Sequence, residues 1–170
     1  MKNQIWKKIE NKKLRVVDLY KSDLKDSLTE FGHSTKDYAK FGAFYELYLF
    51  GFVIGYQSKE RYTNLEEESL ETFNTISEWK NENKTLLKNF LAALLCDKNI
   101  RNETGFDFFK SNKPEEKDID VRIKKLILIF EEYANAGLKI IHNKYVSNHD
   151  EFDHFMSLQS LHEEILKNNH

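Results

Sequence analysis

The sequence predicts an all-α fold, a compact single-domain bundle of about six helices around a buried apolar helix at residues 41–56. Three observations lead there. Chain breakers are scarce, with Pro 1 and Gly 6 in 170 residues, and low breaker content favours helices over a loop-rich sandwich. Apolar residues recur at three- and four-residue spacing along most of the chain. The run from Phe41 to Tyr56 carries one charge, Glu46. A membrane span needs ~20 apolar residues, so this shorter run reads as a core helix, with Glu46 at an edge or facing a donor.

Each element follows from local text. Residues Asn3 to Phe31 place Leu14, Val17, Leu24, Leu28 and Phe31 at helical spacing, which predicts one or two amphipathic helices. Residues 1–34 read either as part of one 1–170 domain or as an N-terminal helical appendage to it. Gly32-His33-Ser34 breaks the run, and Ser34 or Thr35 can cap the next helix. Gly51 and Gly55 form a GxxxG pair that lets a neighbouring backbone approach closely. Gln57 to Leu65 is polar and reads as a loop. Leu65, Leu70, Phe73, Ile76 and Trp79 are spaced for a helix over 66–79. Asn81 to Asn83 reads as a break, Thr85 to Cys96 as a short apolar helix, and Asp97 to Pro114 as a structured loop with Phe106, Phe108 and Phe109 tucked against the core. Pro114-Glu115-Glu116 is a helix start. From there Ile119, Ile123, Leu126, Ile127, Phe130, Tyr133, Ala134, Leu138 and Ile141 predict one long helix to about Tyr145. A turn at 147–150 and a final helix over 151–167 complete the chain.

Composition narrows the function classes. The formal charge is −2 at pH 7, so no global bias points to nucleic acid or to a basic partner. Only Arg15, Arg61, Arg101 and Arg122 are Arg, and bidentate reading of phosphate or guanine prefers Arg to Lys. A single cysteine, Cys96, excludes an internal disulfide and a thiolate metal cluster. It reads as a buried, inert thiol, and the absence of disulfides fits a reducing cytoplasm. The opening MKNQIWKKIENKK lacks the apolar core of a signal peptide.

Motifs for chemistry are thin. There is no GxGxxG, P-loop lysine motif, HExxH or GxSxG, and no cofactor is expected. Two Glu-x-x-His pairs, Glu30–His33 and Glu151–His154, have the spacing of di-iron ligands. Both sit at helix ends rather than mid-helix. His142, His149, Asp150 and His154 gather near the C-terminus. They read first as a solvated turn with a helix cap. The rival reading is a metal-dependent nuclease or another enzyme.

The stretch FEEYANAGLKII puts Ala134-Asn135-Ala136-Gly137 in the middle of a strongly helical segment. A mid-helix Gly costs about 1 kcal/mol relative to Ala, and close packing is the natural offset. Gly51 and Gly55 are expected to cross there, against Tyr133, Asn135 and Gly137. Asn135 is expected to bond a backbone group near Gly55, and the Tyr133 hydroxyl to reach the Tyr56–Arg61 loop.

The same residues carry a likeness. Tyr133, Ala134, Asn135 and Gly137 resemble a Tyr-Ala-Asn-Gly-Gly run in small proteins linked to Dnd gene clusters, the DNA phosphorothioation defence systems of prokaryotes; Ala136 replaces the first Gly. In FGFVIGYQSKERYTNL, the residues Gly55, Tyr56, Lys59 and Arg61 correspond to that family's helix end and basic pair. The resemblance implies a non-enzymatic, cytoplasmic accessory protein of a DNA-modification or anti-phage defence cluster. It implies protein contacts, with weak DNA contact as a second route. The candidate contact residues are Tyr56, Lys59 and Arg61, from the matching segment, and Lys124 and Lys125, chosen for their charge alone. No membrane partner is expected, and homo-oligomerisation stays open. An antitoxin or immunity protein that blocks a toxin is an alternative.

Overall fold

The protein is mostly α-helical. A computed structural model describes residues 2–29, 41–106, 116–147 and 163. Among these residues the order is α1 (Lys2–Glu10), β1 (Arg15–Val17), α2 (Asp18–Leu28), α3 (Phe44–Ser58), a 3-10 turn (Leu65–Glu67), β2 (Leu70–Thr72), a second 3-10 turn (Ile76–Glu78), α4 (Asn81–Leu94), α5 (Lys98–Thr104) and α6 (Glu116–Ser147). The chain divides into two compact units, Met1–Leu14 with Thr72–Phe130, and Arg15–Glu71 with Glu131–His170.

In the first unit α1, α4, α5 and the start of α6 enclose a core that includes Ile9, Leu87, Leu91, Leu94, Ile123 and Leu126. The positions 87, 91 and 94 repeat at helical spacing, which turns one face of α4 inward. Lys12 accepts the Ile76 N–H through its carbonyl at 3.0 Å. Trp79 stacks on Phe73 with centroids 6.0 Å apart and donates its indole N–H to the Asn74 carbonyl at 3.1 Å.

The apolar residues of 65–79 do not form a helix. Leu65, Phe73, Ile76 and Trp79 are buried, but two 3-10 turns and a strand deliver them. The backbone of this stretch is claimed by other partners: β2 pairs with β1, and the Ser69 carbonyl accepts the Asp18 N–H at 2.9 Å. Long-range pairing overrides local spacing. The β1 strand itself, short and rich in β-branched Val, was hidden inside an expected helix. Asn81 to Asn83 is the first turn of α4 rather than a break. The 97–114 stretch contains α5, with Asp97 as its cap accepting the Asn99 N–H at 2.7 Å and Gly105 at φ 76° closing it. Phe106 is buried; Phe108 and Phe109 lie outside the described residues, as do the Ser34/Thr35 cap and, apart from Glu163, the helix expected over 151–167. Cys96 is exposed, not buried. The inward face of α4 ends at Leu94, and the next turn carries Cys96 outward.

The second unit is built on α3. Its buried face holds Leu47, Tyr48, Gly51, Phe52, Ile54 and Gly55. Glu46, in the first turn, accepts the Gly42 N–H at 2.9 Å, a side chain reaching back to a backbone donor at the helix start. The Gly-bearing face meets α6 backbone to backbone. A Cβ on Gly55 would stand 2.0 Å from the Tyr133 carbonyl oxygen, and one on Gly137 1.8 Å from the Gly51 carbonyl oxygen. At Gly51 the nearest atoms, the Ala134 oxygen and Leu138 Cγ, are both 3.0 Å away. Gly55 and Gly137 therefore admit no side chain, and Gly51 admits one only after a small shift.

Alanine favours the helix by about 1 kcal/mol over glycine, yet Gly137→Ala is expected to destabilise. The backbones on both sides must part, and overpacking of this kind costs roughly 1–3 kcal/mol or more. Thermal unfolding should show Tm lowered by about 2–12 °C, at about 2–4 °C per kcal/mol for a chain of this size. Gly51→Ala should move Tm much less.

Candidate functional site

Two neighbouring carboxylates on α6, Glu131 and Glu132, are buried and organise different flanks of the second unit. Successive helix positions point about 100° apart, so each acid meets different partners. Glu131 holds β1. It accepts the Arg15 backbone N–H and the Arg15 Nε, each at 2.8 Å, while Arg15 Nη1 donates to Glu66 at 2.6 Å. One turn further along, Asn135 accepts the Val17 N–H at 2.8 Å. Its amide donates to the Glu131 carbonyl at 2.8 Å and to the Arg15 carbonyl at 3.2 Å. Tyr48 on α3 donates its hydroxyl to the same Arg15 carbonyl at 2.7 Å. Asn135 thus secures strand β1, and not a backbone group near Gly55 as its place beside Gly137 led us to expect. Residues 131 and 135 share one helix face, and that face carries the strand.

The electrostatics of the network follow from its burial. Burial pushes the Glu131 carboxyl above its ordinary value, against the hydrogen bonds and charge of Arg15. Burial also holds the Tyr48 hydroxyl well above its usual range, helped by the negative charge of Glu131. For Arg15, burial alone would lower the pKa, but the hydrogen bonds to Glu131 and Glu66 outweigh it and leave the guanidinium more firmly protonated.

Glu132 holds the other flank. Arg61 Nε and Nη2 donate to its Oε2 at 2.7 and 2.5 Å, and the Tyr62 N–H donates to its carbonyl at 3.1 Å. The Arg61 guanidinium lies over the Tyr133 ring at 5.9 Å. Tyr133 packs edge-on against Tyr56 at 5.4 Å and Phe52 at 6.2 Å, and Tyr56 stacks on Phe52 at 5.6 Å.

Between Tyr56 and Arg61 the chain leaves α3 through a Schellman motif. The Glu60 N–H returns to the Gly55 carbonyl at 3.1 Å and the Lys59 N–H to the Tyr56 carbonyl at 3.3 Å. The left-handed position of this motif, normally Gly, is occupied by Lys59 at φ 58°, and among the described residues it is the one non-Gly residue with positive φ. Tyr56 and Lys59 are exposed there, while Arg61 is consumed by Glu132.

Lys124 and Lys125 belong to the first unit and are exposed; Lys125 donates to the Glu103 carbonyl at 3.4 Å. His142 Nε2 pairs with Asp23 at 2.8 Å, its ring 5.4 Å from that of Tyr20. His149, Asp150 and His154, and the pairs Glu30–His33 and Glu151–His154, lie outside the described residues. Among the described residues no group of three His, Cys, Asp or Glu side chains is placed to hold a metal ion.

The folded pKa of Glu131 is raised from an ordinary value of 4.5. Its contribution to stability is therefore fully present below 4.5 and lost as pH rises through the raised value. The stability difference between the protein and Glu131→Gln, from urea unfolding at a series of pH values, should fall as pH rises above 4.5. Asn135→Ala should cost about 1–3 kcal/mol, because the buried Val17 N–H is left without its acceptor. The chain matches no protein-family model, no curated protein and no solved structure.

Proposed function

We propose that this chain is a non-enzymatic, cytoplasmic accessory protein of a prokaryotic DNA-modification or anti-phage defence cluster, of the kind linked to DNA phosphorothioation. It works by docking a protein partner on the turn that ends α3. The observation that carries the reading is Lys59. A lysine in the left-handed region costs on the order of 1 kcal/mol or more where glycine would cost nothing. Strain of that kind is retained where the side chain is used, and here the side chain stands in solvent beside exposed Tyr56.

Two further observations support the reading. The segments that carry the family resemblance, 55–61 and 133–137, are more than seventy residues apart and pack on one another through Gly55, Tyr56, Arg61 and Tyr133. The buried acids and amide of that region are each engaged in holding backbone or a guanidinium, which is the use of polar groups expected in a scaffold. No helix among the described residues is long and apolar enough to cross a membrane.

Bacterial two-hybrid pairing of the full chain against each protein encoded by a phosphorothioation cluster tests this. One partner is expected to score, and Lys59→Glu with Tyr56→Ser should abolish the signal. Lys59→Gly should raise Tm by a few degrees, since ~1 kcal/mol of backbone strain is removed, while weakening the same signal. No partner in the cluster, or full pairing by the double variant, removes the proposal.

A further inference from the structure

The formal charge of −2 hides a partition that the two compact units expose. Among the described residues, the first unit carries fourteen Lys or Arg against eight Asp or Glu, a net of +6. The second carries seven against twelve, a net of −5. Each unit is strongly charged, and the signs are opposite.

Within the first unit, part of this positive charge meets around Asp120 on α6. Lys8 of α1 donates to Asp120 at 2.9 Å. The carboxyl of Asp120 is held below its usual range, first by that hydrogen bond, against a small cost of burial, and then by the charges of Lys8, Lys12 and Lys124. Lys117 and Lys124 stand three residues before and four after Asp120, on the same helix face, and both are exposed. On the other flank of α1, Lys88 of α4 lies over the Trp6 ring at 4.2 Å. Asp120 thus has Lys8, Lys12 and Lys124 around it and Lys117 on its own helix face, where Glu116 is the other acid, with Lys88 across the same short helix.

We propose that this surface binds the phosphate backbone of duplex nucleic acid. The chemistry fits the backbone rather than the bases. The surface is made of lysine, a point charge on a flexible stem, and lacks the planar fork with which arginine reads guanine. Phosphate contacts of this sort set position and salt dependence and carry no sequence preference. The surface lies in the first unit, so it is independent of the protein contact on Lys59, and either can fail without the other.

Fluorescence anisotropy of the full chain with a labelled 20-base-pair DNA duplex, from 25 to 200 mM salt, tests the assignment. Binding is expected to weaken with salt, with a slope of about −3 to −4 on logarithmic axes, about 0.9 per phosphate contacted. The combined Lys12→Gln, Lys117→Gln, Lys124→Gln variant, which keeps the Lys8–Asp120 pair, should bind at least about tenfold more weakly at 50 mM salt and flatten the slope by about 3. Its unfolding curve should match that of the parent chain. A set of equal charge in the second unit, Lys25→Gln, Lys139→Gln, Lys144→Gln, should leave binding unchanged. Absence of salt-dependent binding, or equal loss in both sets, overturns the proposal. So does equal competition by poly-glutamate, which would point to an acidic protein segment. Salt-sensitive self-association in sedimentation, lost in the first variant set, would point to a second copy of the chain and overturn it too.

Discussion

The backbone contact between α3 and α6 is the constraint on which the second unit depends. Gly55 faces the Tyr133 carbonyl and Gly137 faces the Gly51 carbonyl at distances that leave no space for a methyl group. Contact that close brings Tyr48, which donates to a strand carbonyl, within reach of Asn135 on the other helix, with 3.5 Å between hydroxyl and amide. It also sets Tyr133 against Phe52 and Tyr56. Glycine weakens a helix locally, so the two helices accept a loss of intrinsic propensity and recover it in dispersion contacts between densely packed backbones.

Around that crossing, polar groups are placed where the backbone has donors left over. A three-residue strand has few ladder partners. β1 meets the shortage by handing its Arg15 and Val17 N–H groups to Glu131 and Asn135. A buried carboxylate is expensive on its own, and Arg15 makes it tolerable by supplying both a charge and two donors. Such an arrangement contributes less net stability than its short distances imply, because both charges leave water to form it. Its larger effect is to specify one arrangement of strand on helix.

The long elements were legible in the sequence, because amphipathic spacing over many residues averages out local noise. The span of α6 followed from periodicity, the core role of α3 from a run with a single charge, and the narrowing at 134–137 from two small residues and a Gly in a helical run. The short elements were not legible. The 65–79 stretch has helical apolar spacing but spends its backbone on β1 and on tight turns, and nothing local announces a partner fifty residues upstream. The cap and closing Gly of α5 were present as Asp97 and Gly105 and were outweighed by the surrounding polar text. The buried acids were the main omission. Glu131-Glu132 interrupts the most apolar part of α6, and two charges in the middle of a core helix are a readable sign that buried cations wait elsewhere. With four Arg in the chain, Arg15 and Arg61 were findable on that ground.

The adjacency of those two acids has a mechanical consequence. Diverging by about 100° about the axis of α6, Glu131 and Glu132 are clasped from different directions by Arg15 and Arg61. Together they act as a spline, a pair of keyways that admits one angular setting. Rolling the rod by even a single residue's turn would strand a charge on each side. A purely oily cylinder could roll or slip by a turn at little cost; this one is torsionally indexed.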